Sequence, residues 1–234
     1  MLLTLQAKLM AQPLRKYLQA EASAAKGSKQ ISGSVAFQGV YGLAKAKKIR
    51  VGYGFRATAF QGKNQRLITA PAILTTGAEG PQVLFLPDRP DYFDTLGLAT
   101  SSVLYVNAMF VIEYAISKKC EAGFNIDLAG LSLGADQKAR YRSSKNNPGD
   151  FPEEVKASPT PWNLLLISHN DIGSLNSEIY LRYRFNSQGL IKIAYSYQFI
   201  EYTTFQPLRL GNDRFRQTPG LLAIGLAWRF KQLI

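Results

Sequence analysis

The stretch Ser174–Phe185, SLNSEIYLRYRF, decides the fold. Side chains alternate with a period of two along a strand. Leu175, Ser177, Ile179, Leu181, Tyr183 and Phe185 therefore share one face, and Glu178, Tyr180, Arg182 and Arg184 share the other. The same pattern recurs twice. Ile49, Val51, Tyr53, Phe55 and Ala57 oppose Arg50, Gly52, Gly54, Arg56 and Thr58, and Leu222, Ile224, Leu226, Trp228 and Phe230 oppose Ala223, Gly225, Ala227 and Arg229.

Working outward from these segments lays out eight strands. The first is an alanine-rich stretch at about 16–26, where a helix is the rival reading. Segments 30–44, 48–62, 101–117 and 120–134 follow, then the quoted stretch. It turns through Asn186, Ser187, Gln188 and Gly189, a hairpin signal, into Ile191, Ile193, Tyr195, Tyr197 and Phe199, and the last strand ends at Phe230. Short turns alternate with long polar segments at 63–100, 135–171 and 207–219, and those segments read as loops. The expectation is an all-β fold, an eight-stranded antiparallel transmembrane up-and-down β-barrel with long extracellular loops.

Alternation alone does not say which face is inside. A membrane barrel turns its apolar face to lipid, and a soluble one turns it inward. Three features favour the membrane form. The apolar faces approach the roughly 9–11 residues a strand needs to cross a bilayer. Tyr41, Tyr53, Tyr114, Tyr183, Tyr202 and Trp228 stand near strand ends, as interfacial aromatics do. The polar faces also carry both signs, so Arg50, Arg56, Arg182, Arg184 and Arg229 can meet Glu113, Glu121, Asp127 and Glu178 in the lumen and plug it.

Composition bounds the function. The 234 residues suit one closed barrel, and a single domain is expected over 13–234, with 1–12 resembling the end of a secretory signal. The net charge of +12 is scattered and not gathered on one stripe, which argues against nucleic acid and for anionic lipid or lipopolysaccharide. The one cysteine, Cys120, excludes an intramolecular disulfide.

Candidate chemistry is sparse. The one histidine, His169, lies in the run Ser168–Asp171 and could serve a lipid hydrolase with a serine from a neighbouring strand. Asp88, Asp91 and Asp94 lack the glycine and spacing of calcium loops. The proline-stiffened run 157–162 ends in Trp162, a recognition residue or a lid over the barrel mouth. Trp162, His169 and Asp171 are the candidate loop-binding residues. No metal, cofactor or catalytic residue is expected.

The segments ITAPA (Ile68–Ala72), GFNIDLAG (Gly123–Gly130), SPTPWNLLL (Ser158–Leu166), NDIGSLNSEIYLRYRF (Asn170–Phe185), EYTT (Glu201–Thr204) and NDRFR (Asn212–Arg216) resemble a family of uncharacterised outer-membrane β-barrel proteins of the kind found in Bacteroidota. The resemblance covers most of the chain after about Ser32. It implies export, assembly by the barrel assembly machinery, contact with outer-membrane lipid or a membrane-protein partner, and no assigned ligand or reaction.

Overall fold

The computed structural model describes residues 16–43, 48–78, 81–87, 89–144, 151–166 and 170–230. The signal-like 1–12, together with Asp88, Ser168 and His169, lies outside them. The described chain forms twelve strands: β1 Lys16–Lys26, β2 Gln30–Gly42, β3 Ile49–Thr69, β4 Thr95–Ala115, β5 Cys120–Leu133, β6 Gln137–Arg142, β7 Glu154–Pro159, β8 Trp162–Leu164, β9 Leu175–Arg184, β10 Gly189–Thr204, β11 Arg214–Gln217 and β12 Gly220–Arg229.

This corrects the expected eight-stranded up-and-down barrel. The twelve strands make one sheet whose order, β11-β3-β2-β1-β12-β10-β7-β6-β4-β5-β8, departs from chain order, with β9 pairing β10 and β5. The difference arises in the segments read as loops. β3 and β4 are each 21 residues long and run well past the expected ends. The 135–171 segment folds into β6, β7 and β8, and β11 lies in the expected 207–219 loop. Unpaired backbone groups on prolonged strands recruit these pieces: β6 on β4, β7 on β6 and β10, and β11 on β3 and β10.

The prolonged part has its own interior. Phe60, Leu67, Leu96, Leu98, Val103, Tyr105, Ala139, Tyr141, Val155, Ala157, Ile200, Tyr202, Leu208 and Phe215 form a buried apolar cluster. We call this end the cap. It lies at the end holding the long connections, opposite the short turns after β2, β4 and β9.

The inward positions of β3 and β4 change parity along their length. In the lower part of β3, Arg56 and Thr58 are buried while Tyr53 and Phe55 are exposed; in the cap, Leu67 is buried and Arg66 exposed. The change falls at Asn64, with φ of 49°. Pairing runs from Lys63–Thr100 to Gln65–Leu98 across that step, and the inward face passes from even to odd positions. The register is kept across the step, residue 64 and the opposite position 99 both face outward, and the inward set of both strands changes parity together.

The cap is also pinned by two buried carboxylates. Asp94 accepts from Arg209 Nε at 2.9 Å, from the Tyr141 hydroxyl at 2.9 Å and from the Ser144 amide at 2.7 Å. Burial, and then the hydrogen bond to Asp94, pushes the Tyr141 phenol above its ordinary pKa, so it stays a donor. Glu201 accepts from Arg214 Nε and Arg216 Nη2, each at 2.8 Å, and from the Gly173 amide at 3.1 Å.

Phe215 is fully buried and meets Tyr141 edge-on at 6.1 Å between ring centroids. Phe215→Ala is expected to destabilise the cap by about 3–5 kcal/mol. Limited proteolysis would then cut faster between residues 134 and 174, while the lower strands keep their protection. Unchanged cleavage would count against an independently packed cap.

Candidate functional site

The lower part of the sheet reverses the usual order of burial. On β9, Glu178 and Arg182 are 3% and 2% exposed, whereas Ile179 and Leu181 between them are 67% and 51% exposed. Ile191, Ile193 and Tyr195 on β10, and Leu222, Ile224 and Leu226 on β12, continue the exposed apolar band. Toward the turn end the band carries Tyr41 and Tyr53, stacked at 5.9 Å, with Tyr114, Tyr183 and Trp228.

Inside, the charges join into one chain of contacts. Near the turn end Glu121 meets Arg50 Nη1 at 3.0 Å and Arg229. Glu113 accepts from Tyr17 and Arg182, and from the Tyr180 hydroxyl at 3.0 Å. Arg182 reaches on to Glu21, which Lys192 also meets. Lys192 Nζ lies 2.9 Å from Glu178, whose carboxylate is 3.2 Å from Arg56. Arg56 then forks onto Asp127 through Nε at 3.1 Å and Nη2 at 2.6 Å. Asp127 accepts from Asn107 Nδ2 at 2.8 Å and the Asn176 amide at 3.0 Å. Beyond it, Asn163 links Asn107, Ser132 and the Ser174 amide, each at 2.8 Å, at the base of the cap.

Five acidic residues (Glu21, Glu113, Glu121, Asp127 and Glu178) face five basic ones (Arg50, Arg56, Arg182, Lys192 and Arg229), so the formal charges cancel. Two aromatic rings bracket the arginines: the Arg182 guanidinium lies 4.1 Å from the Tyr180 centroid and that of Arg229 4.0 Å from Tyr17. Gly123 pairs opposite Tyr180, and a Cβ there would fall 2.3 Å from the ring. Its missing side chain is what admits the tyrosine. Gly54 serves another need, because a Cβ there would meet the Phe37 carbonyl of β2 at 2.2 Å.

Of the nine charges expected in the lumen, the structure joins Arg50, Arg56, Glu113, Glu121, Asp127, Glu178, Arg182 and Arg229. Arg184 stands apart. It lies at the end of β9, donates to the Ser187 carbonyl at 3.4 Å and forms no ion pair among the described residues. Glu21, Lys192, Tyr17 and the asparagines are additional members. Glu21 and Lys192 obey the same alternation, but short neighbours such as Ala194 and Ser23 dilute the signal.

Of the candidate loop residues, the described Trp162 and Asp171 do not converge. Trp162 is 68% exposed on the outward side of β8, opposite Leu131, and does not fold back over the mouth. Asp171 is buried, takes the Leu166 amide at 2.7 Å and offers its carbonyl to Arg214. Asp94 is engaged by Arg209 and Tyr141, and among the described residues no cluster of metal-ligating side chains forms.

Lys192→Met removes one positive charge from a sealed, balanced network. The expected loss is about 3–5 kcal/mol in urea unfolding of detergent-refolded protein, followed by tryptophan fluorescence. Adding Glu21→Gln restores neutrality and should recover at least about 1.5 kcal/mol of it. Additive losses would disprove the coupling.

No family model matches the chain, and no curated protein does. Among solved structures it is distantly similar to outer-membrane proteins. With Ail, the attachment invasion locus protein of Yersinia pestis, solved in complex with the heparin analogue sucrose octasulfate, it shares 12% identity at a TM-score of 0.37, over 94% of this chain and 100% of that one. For Neisserial surface protein A the values are 11% and 0.40, over 92% and 97%. For the Ralstonia pickettii toluene transporter TbuX they are 9% and 0.25, over 96% and 91%.

Proposed function

We propose that this chain is a non-enzymatic integral outer-membrane protein, of the kind the Bacteroidota-type resemblance implies. One observation carries the reading: an exposed apolar band rimmed by tyrosines surrounds an interior of paired charges. In water the band would expose a contiguous apolar surface far beyond what soluble monomers tolerate. In a bilayer it faces acyl chains, and the cap stands in the aqueous layer beyond.

The interior acts as a plug. Arg56, Arg182 and Lys192 are nearly or fully buried and span the space that a solute path would need. The working surface is then the cap, with an envelope-structural or surface-binding role. Lipopolysaccharide is the surrounding partner, and the barrel assembly machinery the route of insertion.

The test is gel mobility of the protein from a washed outer-membrane fraction, unheated against boiled. A heat-dependent shift in that fraction is the expected result, together with conductance near baseline in planar bilayers. Recovery as an aqueous protein with no shift would overturn the membrane reading, and large stable conductance steps would overturn the plug.

A further inference from the structure

Six basic side chains stand together on the outward face of the cap. Lys63 and Arg66 come from β3, Lys138, Arg140 and Arg142 from β6, and Lys156 from β7, and all six are exposed. Strand register brings them together. Arg66 lies opposite Gly97 of β4, which lies opposite Arg140; Thr95 lies opposite Arg142, and Lys138 opposite Lys156. Cross-strand partners share a face.

Two features suggest an unfilled anion requirement. Lys138 and Lys156 are like charges directly opposed, an arrangement that destabilises a sheet unless a counter-charge lies over it. Arg66 and Arg140 are two strand spacings apart, about 10 Å, across a glycine. A Cβ at Gly97 would come no nearer than 3.6 Å to another atom, the Arg140 carbonyl oxygen. With no side chain of its own, Gly97 places nothing between Arg66 and Arg140 in this cross-strand row. Among the described residues none of the six has an ion pair or a side-chain hydrogen bond. Glu154, opposite Arg140, supplies an acid in these rows.

The position selects the ligand. The outward face of β3 is apolar from Ile49 to Ala59 and turns polar at Gln61, Lys63 and Arg66. Lys63 therefore stands about 13 Å along the strand from the end of the lipid-facing band, at headgroup depth. Arginine pairs match phosphate oxygens in charge and geometry. We infer that the outward face of β3, β4, β6 and β7 binds the phosphorylated headgroups of glycolipid in the surrounding leaflet, Arg66 and Arg140 holding one phosphate across Gly97. This rests on the membrane reading above.

The test uses the full chain in phosphatidylcholine vesicles doped with bisphosphorylated lipid A, or with the same lipid A dephosphorylated. The readout is lipid A retained per protein after extraction into mild detergent. The wild type should retain the phosphorylated form and not the other. The triple variant Arg66→Ala, Arg140→Ala, Arg142→Ala should retain at least about tenfold less, whereas Lys118→Ala with Lys119→Ala, at the opposite end, should match the wild type. Retention should also weaken with salt.

Equal retention by wild type and triple variant, or equal retention of dephosphorylated lipid A, would overturn the inference. So would capture of soluble dextran sulfate with no retention of lipid A. The heat-dependent gel shift is followed in every sample. If it persists while retention is indifferent to the substitutions, this inference alone fails; if the wild type lacks it and stays aqueous, the membrane reading fails.

Discussion

Arg182 sits between Glu21 and Glu113 with its side chain fully enclosed, and much else in the fold follows from keeping it so. A guanidinium out of water is tolerated only where carboxylates and hydrogen bonds replace its hydration. The partners come from β1 and β4, and Tyr180 supplies a ring face. The sheet therefore has to roll until three separate parts of the chain converge on one group. Gly123 opposite Tyr180 is part of the same requirement, since any larger residue would displace the ring that backs the arginine.

Much of this was legible in the sequence, for a simple reason. Where one face is polar and the other apolar over a whole strand, as on β9, alternation names both sets and almost fixes the register. The cap was not legible because β3 and β4 change character partway. Up to Gly62 the even positions of β3 point inward; after Asn64 the odd ones do, which buries Gln65, Leu67 and Thr69 and leaves Arg66 and Ile68 outward. A window spanning Lys63–Thr69 averages two opposite patterns and resembles a polar loop. Prolines at 71, 81, 87 and 90 strengthen that impression. Lys138, Arg140 and Arg142 do alternate with Ala139 and Tyr141, but six residues amid a charged segment give a weak signal.

The same division explains the charge. The named interior residues cancel, five against five, so the +12 of the chain has to reside outside that network. Sequence composition spreads it evenly along the chain. Strand pairing gathers part of it, because β3 and β6 lie on either side of β4 and bring residues near 66 and 140 into one row.

The span of the interior contacts bears on how the molecule can be made. Glu21 meets Arg182 and Lys192 across 161 and 171 residues of chain, and Arg229 meets Gln19 across 210. Until the last strands arrive, Glu21 lacks both of its cations and Glu113 lacks Arg182 and Arg229. A half-made sheet lying in hydrocarbon would expose those ions directly. On the proposed membrane reading, stepwise entry of hairpins into the bilayer is thereby disfavoured, and insertion and the joining of first and last strands would be a single concerted event.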